Sequence, residues 1–195
     1  MKRLTLLLWF ITTALALSAQ PNARQERKLV FDGKAHEKMR VTLVTQPDDL
    51  QVLRAQSAAI ENPHQRIWQR LTERMIVTVQ HPDHKGVGIA APQVGINRQL
   101  IIVQRFDKDN KPFEAYFNPQ IIAFSDSLCL RAEGCLSIPG VRDSVERAWG
   151  IRLKYQKPDG EWMEEYIEGF TARIFQHEID HLNGKLFTDL IKRDL

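Results

Sequence analysis

Two histidines and a glutamate near the C-terminal end of the 195-residue chain have a spacing that suits metal chemistry. His177, Glu178 and His181 form an H-E-x-x-H pattern in a segment with helical periodicity. Residues four apart in an α-helix lie on one face, so both imidazoles can bind one ion while Glu178 approaches a water on that ion. The alternative is two surface histidines on an amphipathic helix. The pattern is short and therefore needs support from residues elsewhere.

Cys135 supplies that support, because a thiolate and two imidazoles make three protein ligands and leave a fourth position open for water. An open position is typical of a catalytic site. Cys135 follows a predicted strand in the sequence EGCLS, residues 133–137. Two alternatives stay open, a buried apolar side chain and a disulfide with Cys129. On one extended strand, cysteines six residues apart would face the same side but lie too far apart to bridge, so a disulfide would require a turn.

A third segment, GVGIAAPQ at residues 86–93, is rich in small residues. It is a poor match to a phosphate-binding loop, because no Lys-Ser or Lys-Thr pair follows it and no dinucleotide fingerprint surrounds it. Small residues instead allow the backbone to approach a ligand closely. Gln93, at the end of the segment, can present an amide donor to that ligand.

Two helices are predicted to flank the strands of the domain. The first begins at Asn62-Pro63, with Gln65 placed to complete a capping box, and ends near His81-Pro82. Its apolar residues recur every four positions, at Ile67, Leu71, Met75 and Val79. The second helix spans about residues 170–182 and stops at Asn183-Gly184. This second helix carries the two histidines.

The intervening segments read as short strands. They are residues 99–104, 115–117, 120–124 and 150–156, and a turn at Pro158-Asp159-Gly160 predicts a hairpin between residues 151–156 and 162–167. The order of helix, several strands and helix differs from repeating βαβ units. We therefore predict an α+β fold with mixed or antiparallel strands around a C-terminal metal-binding helix.

The N-terminal residues predict export. Residues 1–19 contain two basic residues, an apolar run from Leu4 to Leu17 and small residues at the end, the layout of a signal peptide. The alternative is an uncleaved membrane anchor, although about 14 uncharged residues are fewer than a bilayer span needs. Cleavage would leave Leu17 or Gln20 as the first residue. The polar residues 20–40 are predicted to be a flexible tether and residues 41–195 the catalytic domain. We expect a periplasmic or secreted protein.

The charge balance argues against nucleic-acid binding. The chain has 27 basic and 24 acidic residues, a formal charge of +3, and removal of Lys2 and Arg3 with the leader would leave +1. The charges of both signs are interspersed, as on a solvated surface. We expect a monomer with no stable membrane insertion once the leader is removed.

The three chemical segments together resemble the peptide deformylase family. Its motifs have the forms G-φ-G-φ-A-A-P-Q, E-G-C-L-S and Q-H-E-φ-D-H, where φ is apolar, and residues 86–93, 133–137 and 176–181 match them in that order. The resemblance extends to residues 138–140, Arg147, residues 172–173 and residues 182–187, and covers roughly residues 41 to 190.

The resemblance implies hydrolysis of the formyl group from N-formylmethionyl peptides, with a metal-bound water as nucleophile. It implies a role for each motif residue: Cys135, His177 and His181 as metal ligands, Glu178 as general acid/base, the Gln93 amide and Leu136 N–H as oxyanion donors, and Val87, Gly88 and Gly134 as substrate-binding positions. Ferrous iron is the usual ion of the family, and zinc, nickel or cobalt can substitute. Glu133 and Arg173 are expected to pair near the pocket.

Export sets this chain apart from deformylases that act on nascent chains. Oxidation of Cys135 would remove a ligand outside the cytosol, so we expect zinc rather than iron in the isolated protein. Two other functions stay open: a non-catalytic protein that binds formylated peptides, and an H-E-x-x-H zinc endopeptidase. The latter usually has a third ligand downstream, for which only Asp189 and Asp194 are available here.

Overall fold

A computed structural model describes residues 23–192 and confirms the α+β class. The helices are α1 (Ala23–Phe31), α2 (Pro47–Arg54), α3 (Arg66–Gln80) and α4 (Gly169–Leu182). The strands are β1 (Gly88–Ala90), β2 (Leu100–Gln104), β3 (Phe113–Phe124), β4 (Leu128–Cys135), β5 (Ile138–Ala148), β6 (Gly150–Gln156) and β7 (Trp162–Glu168). Short 3₁₀ helices occupy Ala91–Val94 and Phe187–Leu190. Within residues 23–192, no helix combines the length and the apolar character needed to cross a membrane.

The strands form two antiparallel sheets. Five strands pair in the order β1-β2-β3-β6-β7, and β4 pairs separately with β5. Side chains alternate across a strand, so β2 can pack against two cores. Leu100 and Ile102 join the cluster formed with α3, whereas Ile101 and Val103 join the cluster formed with α4. The two long helices therefore contribute to the cores on opposite faces of the central sheet.

Helix α3 begins later than the capping pattern predicted. Asn62 does not cap it, because its side-chain oxygen accepts a hydrogen bond from the backbone N–H of His64 in a preceding turn, at 3.1 Å. Gln65 occupies the N-cap position without a side-chain capping bond. The apolar stripe is confirmed at Leu71, Met75 and Val79, which are fully buried, and Ile67 is only partly buried.

The two predicted strands around Asn118-Pro119 are one strand, β3. Asn118 adopts a left-handed backbone conformation with φ of 49°, and the pairing with β6 shifts between Phe117 and Gln120. The Asn118 side chain compensates by bonding the N–H and the carbonyl of Ile60, both at 2.8 Å. A bulge can bend a strand without ending it. The Asn-Pro pair therefore marks an irregularity rather than a strand boundary.

The prediction of a flexible tether over residues 20–40 is wrong for the part that the structure describes. Residues 23–31 form α1, in which Val30 is fully buried and Glu26 accepts two hydrogen bonds from Arg98, at 2.7 and 3.1 Å. The buried Arg74 of α3 donates to the carbonyls of Leu29 and Val30. These partners are remote in sequence, so local polarity did not reveal them. The predicted leader, residues 1–19, lies outside the described residues.

Candidate active site

The structure brings the three predicted metal ligands together. Cys135 lies at the end of β4, and His177 and His181 lie one turn apart on α4. One ligand atom from each falls within 4.8 Å of the others, and Cys135 Sγ is 3.3 Å from His181 Nε2. Burial lowers the pKa of His181, which favours the neutral imidazole that binds metals. One thiolate and two imidazoles at this separation suit a single divalent ion with an open coordination position.

Packing sets the position of each ligand. Helix α4 is anchored by Phe175 and Leu182 in the core beneath the five-stranded sheet. It ends where predicted, at Asn183, followed by Gly184 with φ of 69°. In β4 the pairing register shifts after Gly134, so that Cys135 lies opposite Ile138 at a tight connection to β5. The sulfur is therefore carried by the last residue of a paired strand rather than by a flexible loop.

Glu133 holds the cysteine strand and the histidine helix in register. Its carboxylate accepts hydrogen bonds from Arg147 at 2.8 and 3.0 Å and from Arg173 at 2.6 Å, which confirms the expected Glu133–Arg173 pair. It also lies 2.9 Å from His177 Nδ1. Burial alone would raise the pKa of Glu133, but hydrogen bonds from His177 and Arg147 lower it to about 2. A carboxylate only accepts, so Nδ1–H of His177 donates and Nε2 is left for the ion.

Glu178 lies at the base of the site with one oxygen unused. The residue is 4% exposed, and its Oε2 has no hydrogen-bond partner among residues 23–192. Burial raises the pKa of Glu178 to about 7. A carboxyl group that titrates near neutrality suits both removal and return of a proton. Gly88 makes room for it, because a Cβ there would lie 2.5 Å from Glu178 Oε1.

Gln93 presents its amide nitrogen to the sulfur. Its Oε1 accepts the N–H of Ala90 at 2.8 Å, which leaves Nε2 to donate to Cys135 Sγ at 3.4 Å and to Ser137 Oγ at 3.3 Å. Gln93 is buried in the 3₁₀ helix that follows β1. Leu136, the residue after the cysteine, lines the same cavity. Both predicted oxyanion donors therefore belong to residues that border the metal ligands.

A cavity of about 610 Å³ opens onto these residues. All three predicted substrate-binding positions, Val87, Gly88 and Gly134, line it. Among residues 23–192, β1 is an edge strand whose one strand partner is β2, so an extended peptide could pair with its other edge at Gly88. Several other lining residues were not predicted from the sequence: His84, Lys85, Arg142, Phe170 and Ile174. They belong to no motif, although Lys85 directly precedes one.

The two cysteines are free, and the downstream acids are not placed as ligands. Cys129 and Cys135 lie at opposite ends of β4, so the disulfide alternative is excluded by the extended strand between them. Asp189 accepts hydrogen bonds from Arg54 and from the N–H of Leu186. Asp194 lies outside the described residues. Nothing within residues 23–192 therefore supplies the downstream ligand of a zinc endopeptidase.

Comparison with known proteins identifies the same enzyme family. The family model described as polypeptide deformylase matches residues 41–194. A peptide deformylase from Thermotoga neapolitana is 46% identical over 124 residues, 64% of this chain and 72% of that protein. A crystal structure of a peptide deformylase from Thermotoga maritima is similar, with a TM-score of 0.72 and 37% identity over 81% of this chain and all of that chain.

A class I type b peptide deformylase from Acinetobacter baumannii, solved with Met-Ala-Ser bound, has a TM-score of 0.69 and 37% identity. That likeness covers 80% of this chain and 99% of the other. The matched segment of this chain contains all three ligands, Glu178 and the cavity. Because the match to the family model also covers more than half of the sequence, the protein belongs to the peptide deformylase family of metal-dependent hydrolases.

Proposed function

We propose that the protein removes the formyl group from N-formylmethionyl peptides at the centre formed by Cys135, His177 and His181. The observation that carries the proposal is the buried Glu178 carboxylate, which has an unpartnered oxygen at the base of the cavity that the ligands border. Burying a polar atom without a hydrogen-bond partner costs free energy, so such an atom in a folded protein indicates a function. A water molecule and the substrate amide would supply that role.

A divalent ion held by the three ligands would activate water and polarise the formyl oxygen. Glu178 takes the proton of the attacking water and delivers it to the amine that leaves. The Gln93 side-chain amide and the Leu136 backbone N–H donate to the formyl oxygen as it gains negative charge. Glu133 keeps His177 in the orientation that binds the ion.

The peptide chain is proposed to lie along the free edge of β1. Val87 and Gly88 form one side of the cavity and Gly134 the other, so an extended peptide would run between them. A Cβ at Gly134 would have only the carbonyl of Val141 within 4 Å, at 3.6 Å. The Acinetobacter baumannii relative bound to Met-Ala-Ser supports a substrate of this length and character.

Formate release from formyl-Met-Ala-Ser tests the proposal. The protein loaded with one divalent ion should turn the peptide over, and Glu178→Gln should reduce kcat by about 10² to 10⁴-fold with the metal retained. Glu168→Gln, at an exposed glutamate just before α4, is the matched control and should keep its activity. No formate from fully loaded protein, with unchanged peptide recovered from a tight complex, would instead support the non-catalytic binding protein.

We propose that zinc is the ion in the protein isolated from its own compartment, with ferrous iron as the family alternative. Cys135 is partly exposed to the cavity, and outside the cytosol a thiolate bound to ferrous iron would face oxidation. Elemental analysis after native, anaerobic purification should find zinc in excess of iron. Iron as the main ion would refute the assignment of zinc. Nickel or cobalt as the main ion would also contradict it.

We propose that the exported protein acts as a monomer on formylated peptides. One chain supplies all three predicted ligands and Glu178, so the proposed chemistry does not require a second copy. Light scattering at micromolar concentration should give a mass near that of one chain. A stable dimer would contradict the proposal.

A further inference from the structure

Two basic side chains stand at the mouth of the cavity without partners. Lys85 and Arg142 are exposed and line the cavity, and within residues 23–192 neither side chain has a hydrogen bond or an ion pair. The nearest acids in sequence are engaged elsewhere: Asp83 pairs with Lys38, and Asp143 accepts the N–H of Ser144. Neither acid lines the cavity.

The two acids that line the cavity, Glu133 and Glu178, are both buried in its interior. Glu133 is neutralised by its pairs with Arg147 and Arg173. Glu178 is buried at the base, beside Gly88. The mouth therefore carries two uncompensated cations, which attract an anionic group on an entering substrate.

Lys85 is placed to meet a substrate residue beyond the formylmethionine. It lies three residues before Gly88, which is packed against the general acid/base Glu178. Three residues span at most about 10 Å of backbone. A peptide that pairs with β1 and continues past Gly88 along residues 85–87 would bring its third residue close to the lysine.

Arg142 reaches the same region from the other wall. It pairs with Gly134 in the β4–β5 register, directly beside the ligand Cys135. Paired residues of adjacent strands have Cα atoms about 5 Å apart and side chains on one face. Because Gly134 has no side chain, the guanidinium of Arg142 has free access to a peptide that passes over the glycine.

We infer that Lys85 and Arg142 select substrates with a carboxylate on the third residue, two positions after the formylmethionine. The inference rests on the proposed deformylase function and assigns it a substrate class. Guanidinium binds carboxylate through paired, charge-assisted hydrogen bonds, and the lysine adds a second positive charge. The carboxylate can come from an acidic side chain or from the C-terminus of a formylated tripeptide.

Four peptides separate these sources: formyl-Met-Ala-Ser, its C-terminal amide, formyl-Met-Ala-Asp amide and formyl-Met-Ala-Asn amide. The kcat/KM of formyl-Met-Ala-Ser should exceed that of its amide by about threefold to tenfold, because exposed ion pairs contribute modestly. The kcat/KM of the aspartyl peptide should exceed that of the asparaginyl peptide by a similar factor. Both ratios should shrink in high salt. An advantage in only one pair identifies the source of the carboxylate and still supports the inference.

Paired variants assign the preference to these two residues. In the double variant Lys85→Gln, Arg142→Gln the ratio of charged to neutral substrate should fall to about one. Arg131→Gln is the matched control, since Arg131 is exposed on the same two-stranded sheet but does not line the large cavity, and it should keep the ratio. Equal kcat/KM for charged and neutral peptides in the unaltered protein, or an unchanged ratio in the double variant, would overturn the inference.

Calorimetry separates a failure of this inference from a failure of the proposed function. Met-Ala-Asp amide and Met-Ala-Asn amide, the deformylated products, report the same charge preference through their affinities without turnover. Tighter binding of the aspartyl product, lost in the double variant, would support the selection of a carboxylate even if no formate were released. Equal affinities of the two products would count against the selection of a carboxylate. Formate release would still test the deformylase chemistry separately.

Discussion

At the scale of single residues, Glu133 determines the geometry of the candidate site. Its carboxylate receives hydrogen bonds from Arg147 on β5 and from Arg173 and His177 on α4. A buried charge is stable only when it is paired and hydrogen-bonded, and these three residues meet both conditions for Glu133. It therefore fixes the cysteine strand against the histidine helix, and no metal is needed to explain how the two elements meet.

Gly88→Ala should reduce formate release by about 10²-fold, because a displacement of reacting groups by about 1 Å has an effect of this size. The new Cβ would lie 2.5 Å from Glu178 Oε1 and 2.7 Å from Ile174 Cγ2, so Glu178 would have to move. The metal content should stay unchanged, since the atoms nearest to the new Cβ belong to Glu178 and Ile174 rather than to the predicted ligands. Activity equal to that of the unaltered protein would show that Glu178 does not act from this position.

At the scale of elements, α1 is joined to the catalytic domain through Arg74 of α3. Arg74 is 5% exposed, and its guanidinium donates to the carbonyls of Leu29, Val30 and Glu37. The segment it holds precedes residue 41, where the match to the deformylase family begins. This chain therefore has an additional N-terminal helix that is packed on the domain.

Arg74→Ala should lower the free energy of unfolding by about 2 kcal/mol, since three carbonyls that receive its hydrogen bonds would lose them. Urea denaturation followed by circular dichroism measures the change. Arg66→Ala, at an exposed arginine at the start of the same helix, is the control and should have little effect. An Arg74 variant as stable as the control would show that α1 does not depend on this contact.

Asp49 of α2 ties the start of the matched segment to the domain. It accepts hydrogen bonds from Arg40 at 2.6 and 2.7 Å and from the N–H of Leu43 at 2.9 Å. The hydrogen bond from Arg40, which outweighs burial, lowers the pKa of Asp49 below its ordinary value of 3.8. A group whose pKa is lower in the folded than in the unfolded protein stabilises the fold. This contribution is complete above the unfolded-state pKa and is lost as the pH falls through the folded-state pKa.

Asp49→Asn should therefore lower stability at neutral pH by about 1 to 2 kcal/mol. The difference from the unaltered protein should narrow as the pH falls below about 4 towards the lowered pKa of folded Asp49, because the unfolded chain then takes up a proton that the folded carboxylate still excludes. Urea midpoints between pH 7 and pH 3 measure this. A difference that is constant with pH would mean that the charge of Asp49 contributes nothing.

At the scale of the whole molecule, two separate sheets meet at one cavity. The five-stranded sheet and α4 supply the edge strand, Glu178 and two ligands, whereas the β4–β5 sheet supplies Cys135. The α1 helix begins at Ala23, a few residues after the predicted leader. The proposed cleavage, before Leu17 or before Gln20, would leave α1 complete.

Mass spectrometry of the mature N-terminus from fractionated cells tests this proposal of export. We expect a first residue of Leu17 or Gln20 in the periplasmic or secreted fraction. A chain that keeps Met1 in the membrane fraction would instead favour an uncleaved anchor. In that case α1 would hold the catalytic domain close to the membrane, because it is packed on the domain rather than part of a flexible tether.

The sequence alone determined the chemistry and the elements with strong periodicity. Residues four apart on one helix must share a face, so the spacing of His177 and His181 is enough to place both imidazoles on the same side of the helix. The stripe through Leu71, Met75 and Val79 was visible for the same reason, as was the hairpin around residues 157–161. These features depend on neighbours within a few residues, where local geometry leaves little freedom.

Only the tertiary structure decided which remote groups meet. Helix α2 and strand β5 were missed. The polar segment of α1 was predicted to be a tether because its burial depends on contacts with distant residues, Arg74 and Arg98. The partners of Glu133 lie 14 to 44 positions away in sequence. Lys85 and Arg142 likewise line one cavity although they are far apart in the sequence. Local patterns carry no information about such distances, since burial and pairing are set by the packing of the whole chain.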